Sequence, residues 1–410
     1  MSHHRRITAA VAALGTTTRS SAAVVAIAAL ALAVGATTAG GATTAGAATA
    51  GATTAGATTA GATAADVRRP SPHWTQTPID RDDAMLVDID ARSGATWAVG
   101  KDLLTGSEET RPLAVRRVEG RWVTTPQPVR FDATLDQVAV AGANDVWAVG
   151  GDNSDPSRPK PLVMRWNGQA WRVVPGPSVP TGSFDEVKIA PDGSVWVAGW
   201  AAVDGAERAV VYRYTDNTWH PLNEGLQDAI NSNTLAVLSA DDAWVGLNAG
   251  LAHFDGDRWT LVSDLPTDGS EIPSAMAALG PHDIWLVGVS HTGGPEGERP
   301  LALHYDGSSW TRVAVPGGPA QLYDVALRNG RPLAVGERFE VNDDIVSSSP
   351  LVLEYHGSGF GRVQAPTTAH GALTAADVVA GRLWAVGVLD SPATGSYSPF
   401  AAVAGWPVAW

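Results

Sequence analysis

The chain has 410 residues, 44% of them hydrophobic and 17% charged, with a net charge of −14 and no cysteine. That balance excludes a wholly disordered chain, disulfides, thiolate metal sites and a cysteine nucleophile, and its acidity argues against nucleic acid as a partner. Sixteen Trp against six Phe and six Tyr point to one Trp-bearing motif copied many times.

Arg5, Arg6 and Arg19 precede an apolar run from Ala22 to Val34, followed by small residues. This is the order of a secretory signal, and the run is short for a membrane span, so residues 1–35 are read as an export signal and no stable span is expected after its removal. Residues 36–65 repeat ATTAG-like pentapeptides with no large side chain to bury, and are read as a flexible linker. The first 65 residues hold those three arginines and no acid, so without them the charge becomes −17.

From residue 66 onward the string W-A-V-G recurs around Trp97, Trp147, Trp196, Trp244, Trp285, Leu333 and Trp384, at steps of 50, 49, 48, 41, 48 and 51 residues. The period is that of a four-stranded propeller blade, and each copy holds four short β-branched runs. The fold class is therefore all-β, a seven-bladed β-propeller of four-stranded antiparallel blades spanning residues 66–410. Tight turns are expected between strands a and b (Asn144-Asp145, Asp192-Gly193, Asp241-Asp242, Asn329-Gly330) and between c and d (Asn167-Gly168, Asp255-Gly256, Asp306-Gly307). Aromatics recur where strand c ends and strand d opens, from Trp122 and Trp166 to Tyr355 and Phe360, and are assigned to packing between blades. The seventh copy stops where its strand d should start, while His73-Trp74-Thr75-Gln76-Thr77-Pro78 matches Arg121 to Pro126. The N-terminal strand is thus expected to close the last blade, leaving no free edge there.

The b-to-c connections read as the long loops and the fourth is clipped near Asn248, so one elaborated, notched face is the expected binding surface. Its candidate ligand-binding residues are Trp200, Asp102, Asp152, Asn153, Asn248, His291, Glu337, Arg338 and Asp390. Trp200 is placed to stack on a sugar or anchor a partner if its ring is exposed, the competing reading being local packing. The ten histidines show no zinc spacing, and neither a nucleophile elbow nor a phosphate or dinucleotide loop occurs. No cofactor is expected. Asn342-Asp343-Asp344 reads as a solvated acidic loop rather than a calcium site.

The patterns D-x-W-A-V-G (Asp145 to Gly150) and L-x-x-x-Y-D-G-x-x-W (Leu301 to Trp310) resemble kelch-like and galactose-oxidase-like propellers, particularly secreted bacterial ones. The oxidase chemistry of that group needs a Tyr-Cys cross-link, which a chain without cysteine cannot form. YDGSSW, Tyr305 to Trp310, is similar to a sialidase-type Asp box, without an assignable arginine triad. The export region and acidic propeller also resemble lectin-like propeller subunits of secreted actinobacterial toxin particles, which implies a cell-surface glycan or a secreted protein as partner. The expected function is a secreted, extracellular, non-enzymatic binding module. The alternative is an extracellular propeller hydrolase or lyase, with His291 and Glu337 the pair nominated for it.

Overall fold

A computed structural model describes residues 71–406, apart from 93, 105, 249, 292–296, 343–344, 369 and 392–394, with residues 341, 342, 345 and 346 described by backbone alone. The expected signal and linker, and Asp343-Asp344 of the acidic loop, lie outside the described residues. The described strands form seven four-stranded antiparallel sheets, six of them built from consecutive strands a to d. The seventh joins Ala372–Val379, Arg382–Ser391 and Ser396–Gly405 to the N-terminal strand His73–Gln76, which pairs in register from His73 opposite Gly405 to Gln76 opposite Ala402.

That N-terminal strand serves as a strand d in every respect. Most strand-d tryptophans donate their indole N–H to the segment just after the preceding blade's strand d: Trp171 to Thr125 Oγ1 (3.0 Å), Trp219 to the Pro175 carbonyl (2.9 Å) and Trp259 to the Leu222 carbonyl (2.6 Å), while Trp310 Nε1 has no such partner among the described residues. Trp74 donates likewise to the Gln364 carbonyl behind blade 6 (2.7 Å), and Thr77 Oγ1 receives Trp122 of blade 1 (3.0 Å). The chain's first described strand therefore links blades 6, 7 and 1.

The aromatic repeat fills the wedges between blades. Each strand-b tryptophan packs on the strand c or d aromatics of the next blade: Trp97 on Trp166 and Trp171, Trp147 on Tyr214, Trp196 on Phe254, Trp244 on Tyr305 and Trp310, Trp285 on Tyr355 and Phe360, and Trp384 on Trp122. The copy with Leu333 instead shares its cluster with the half-buried Trp74. On strand c, the residue paired with each of the first five tryptophans is cationic or imidazole, and an aspartate often tethers it. Arg165 lies 4.9 Å over the Trp147 ring and binds Asp145 at 2.7 Å. His304 stacks 4.2 Å from Trp285 and meets Asp283 at 2.9 Å. The Asp of the D-x-W pattern is thus a tether for a cation on a ring.

The repeat glycine has its own cause. A Cβ on Gly100, Gly199, Gly336 or Gly387 would sit 2.0 Å from a strand-a carbonyl of the same blade, because strand a bulges there. At the expected Asp box, Asp306 Oδ1 accepts from the Ser308 and Ser309 amides (2.8 and 2.9 Å), and its carboxyl is held down to about 2, first by the Ser308 hydroxyl. The motif is a turn lock between strands c and d.

One sequence expectation is corrected, and of the two readings of Trp200 local packing is the one that fits. Several b-to-c connections are extensions of the strands rather than loops: blade 3 runs Val195–Val203 straight into Ala206–Thr215, and blade 6 runs Arg331–Asn342 into Ile345–Tyr355. Side chains there alternate with the pleat instead of fanning into solvent. Consequently Trp200 is only 3% exposed and Glu337 only 1%, so Trp200 offers no ring at the surface for a sugar.

Candidate functional site

The seven strands a, the innermost of each blade, are Ala84–Arg92, Gln137–Gly142, Gly182–Ile189, Ser232–Ser239, Glu271–Gly280, Ala320–Arg328 and Ala372–Val379. They line an axial channel of about 670 Å³, which runs from His291, Glu298 and Phe339 at the b-to-c end to Arg92 and Leu327 at the a-to-b end. Each bulge throws the next side chain, such as Asp88, Glu186 or Asp324, toward that channel.

At the waist these side chains staple neighbouring blades. The Val138 amide donates to Asp88 Oδ2 (2.8 Å), the Val140 amide to Asp90 Oδ2 (2.6 Å) and the Val187 amide to Gln137 Oε1 (2.6 Å). Across the ring, the Ala376 amide donates to Asp324 Oδ2 (2.8 Å) and the Ala91 amide to Asp377 Oδ2 (2.7 Å). One ammonium sits among them: Lys188 Nζ lies 3.0 Å from Glu186 Oε2 and 3.4 Å from Gln137 Oε1. Burial raises the Asp88 carboxyl to about 8 against the pull of Lys188, and raises Asp324 as well. Asp377 is raised to about 7 by burial and by the charge of Asp90. Burial would lower Lys188, but the carboxylates of Glu186 and Asp88 outweigh it and hold its ammonium protonated.

At the b-to-c mouth, blades 5 to 7 bring together a second polar group. His291 and Glu298 face each other across the blade 5 hairpin, with Nδ1 of the one 2.6 Å from Oε1 of the other. In blade 6 the Tyr323 hydroxyl donates to Glu337 Oε1 and lies 3.1 Å from Gln321 Oε1. Burial pushes the Tyr323 phenol well up, and the charges of Glu337 and Glu298 add to it. Glu337 is pushed up to about 7, chiefly by burial with the charge of Asp390 adding, while bonds from Tyr323 and Ser348 pull it back. Asp390 of blade 7 in turn raises Tyr397 beyond the effect of burial. A carboxyl that titrates near neutrality beside a phenol and a His–Glu pair can exchange a proton or hold a hydrogen-bonding ligand.

The structure therefore gathers three of the sequence-predicted residues, His291, Glu337 and Asp390. The others do not join them. Asp102 is raised by burial, with Arg81 at 4.0 Å; Asp152 Oδ1 caps Ser154 (3.0 Å). The Asn153 amide donates to the Asp132 carbonyl (2.8 Å), Asn248 accepts from Asn233 (3.0 Å), and Arg338 pairs with Glu340 (2.8 Å). Trp200 is buried. Sequence reasoning missed Glu298, Gln321 and Tyr323 at the mouth and Asp88, Glu186, Lys188 and Asp324 at the waist. Only the waist residues left a signal, as charged residues inside largely apolar strand a runs, whereas Gln321 and Tyr323 are uncharged and Glu298 lies on strand c.

No protein-family model matches the chain, and no curated protein matches it. Solved structures do, as propellers. A structure described as YCF48 bound to D1 peptide is 15% identical with a TM-score of 0.54, covering 84% of this chain and 97% of that one. The extracellular domain of a hybrid two-component system from B. thetaiotaomicron is 11% identical (TM-score 0.53), covering 81% of this chain and 39% of that one. The GH74 xyloglucanase from Xanthomonas campestris is 13% identical (TM-score 0.53), covering 80% of this chain and 55% of that one. At such identities the likeness concerns the propeller fold alone. No helix among the described residues is long and apolar enough to cross a membrane.

Proposed function

We propose that the protein is a secreted binding propeller whose partner docks at the b-to-c face and places a polar group in the channel mouth on blades 5 to 7. The observation that carries this reading is the mouth itself: buried, orienting polar side chains (Glu298, Tyr323, Glu337) beside a channel wide enough to admit a side chain. With Trp200 buried, a protein segment suits the site better than a stacked sugar. The similar propeller described as bound to a peptide gives that reading a precedent of fold. An extracellular sensor domain and a glycoside hydrolase of the same fold are equally compatible with a chain that is exported. Docking of a secreted toxin particle to a cell surface is one setting in which such a module would work.

A hydrolase or lyase is the second reading, favoured by the His291–Glu298 contact of 2.6 Å and by a Glu337 carboxyl that titrates at about 7. One experiment separates the two. The tagged full-length chain is used to capture proteins from culture supernatant and to probe a glycan array, in parallel with Glu337→Gln and His291→Ala variants of unchanged melting temperature. Capture of a partner that both variants lose supports docking; capture that both retain overturns it. Turnover of an arrayed polysaccharide, abolished in Glu337→Gln, would establish the enzyme instead.

A further inference from the structure

The mouth holds more acceptors than donors. Glu298 is 7% exposed; its Oε1 is taken by His291, and its Oε2 is buried with no donor in reach among the described residues. The Tyr323 hydroxyl has one hydrogen and two carboxyl or amide oxygens beside it, so it serves only one of Glu337 and Gln321 at a time. Asp390, whose charge acts on Glu337, also has a buried Oδ1 without a donor among the described residues. Buried acceptors without donors cost free energy, and a group that brings both N–H and positive charge removes that cost. Tyr323 and Phe339 line the same end of the channel, and aromatic faces favour a cation. Deeper in, the waist already holds one alkylammonium, Lys188, on Glu186 and Gln137, so the lining accommodates this chemistry.

We propose that the channel mouth on blades 5 to 7 binds an alkylammonium group, with Glu298 Oε2 as its main acceptor and Asp390 as a second. The assignment rests on the docking reading above and names the chemistry of the docked group. It is the ammonium of a lysine side chain or of a free polyamine, and the two share the same contacts. A metal ion fits less well: among the described residues no three His, Asp or Glu side chains converge closely enough to hold one.

Calorimetry on the full-length chain tests this with n-butylammonium, spermidine and an end-blocked lysine peptide, against n-butanol as the neutral isostere and calcium as the rival cation. The ammonium probes should bind and n-butanol should not. Glu298→Gln, which keeps an oxygen for His291, should weaken binding about tenfold or more, and Asp390→Asn by less. Tighter binding of spermidine points to a free polyamine and tighter binding of the peptide to a partner's side chain; either supports the site. No ammonium binding, equal affinity in Glu298→Gln, or calcium binding that depends on Glu298 in its place overturns it. The two readings fail separately. If partner capture still requires Glu337 but is indifferent to butylammonium, the ammonium site falls and docking stands. If butylammonium binds through Glu298 while no partner depends on the mouth, docking falls and the site stands.

Discussion

Gly199 shows how one residue type can be dictated by its neighbour's backbone. It sits opposite Phe184 where strand a of blade 3 bulges, and a Cβ there would meet the Ser183 carbonyl oxygen at 2.0 Å. A backbone atom in the middle of a sheet cannot swing aside as a side chain would, so Gly199→Ala must displace the innermost strand. The expected cost is about 3 kcal/mol, the upper part of the range for overpacking, read as a fall in the urea midpoint at unchanged slope. Gly193→Ala is the useful contrast: nothing lies within 4 Å of its added Cβ, and its cost comes only from the positive φ of 85°. If both cost the same, the carbonyl clash is not the reason that glycine ends the W-A-V-G string.

Among the elements, the N-terminal strand carries the most connections for its size. Four residues pair with Ser396–Gly405, Trp74 reaches blade 6, and Thr77 receives Trp122 of blade 1. Deleting residues 66–80 exposes the edge of blade 7 and removes both links, so the melting temperature should fall by roughly 5 °C or more. An unchanged melting temperature would mean that the ring holds without this seam. The strand was legible in the sequence because HWTQTP repeats RWVTTP, and the blades were legible because their inter-blade tryptophans recur in phase. The site was legible only in part. Extensions of strands b and c read as loops because polar residues such as Glu337 and Arg338 continue them, and only the pleat decides that Glu337 turns inward while Arg338 stays half-exposed against Glu340. The channel residues were hidden for the converse reason. Asp88, Glu186 and Asp324 look like solvent-facing positions of an edge, yet they lie on the innermost strand, and nothing local to the chain distinguishes a channel from bulk water.

For the whole ring, the charge in the channel makes stability depend on pH in an unusual direction. A surface carboxylate held by hydrogen bonds, as Asp306 is, loses its contribution as pH falls toward its lowered value of about 2. Asp88 and Asp377 behave oppositely: their folded values, about 8 and about 7, lie above the ordinary 3.8. Between about pH 4 and pH 8 the unfolded chain has therefore released these protons while the folded ring retains them in part, and stability falls as pH rises through that window. Lys188 limits the loss by pairing with the ionised forms, but one ammonium cannot neutralise Asp88, Glu186 and Asp324 together. The melting temperature should accordingly be higher at pH 5 than at pH 8. Asp88→Asn isolates the effect, since an amide oxygen can still accept from the Val138 amide and keep blades 1 and 2 stapled. That variant should exceed the parent only slightly at pH 5, just above the range in which the unfolded carboxyl ionises, and by a clearly larger margin at pH 8, because ionisation favours the unfolded parent more and more across that window. A variant less stable than the parent at both pH values would show that the ionised carboxylate strengthens the ring, and that Lys188 offsets the cost of burying it.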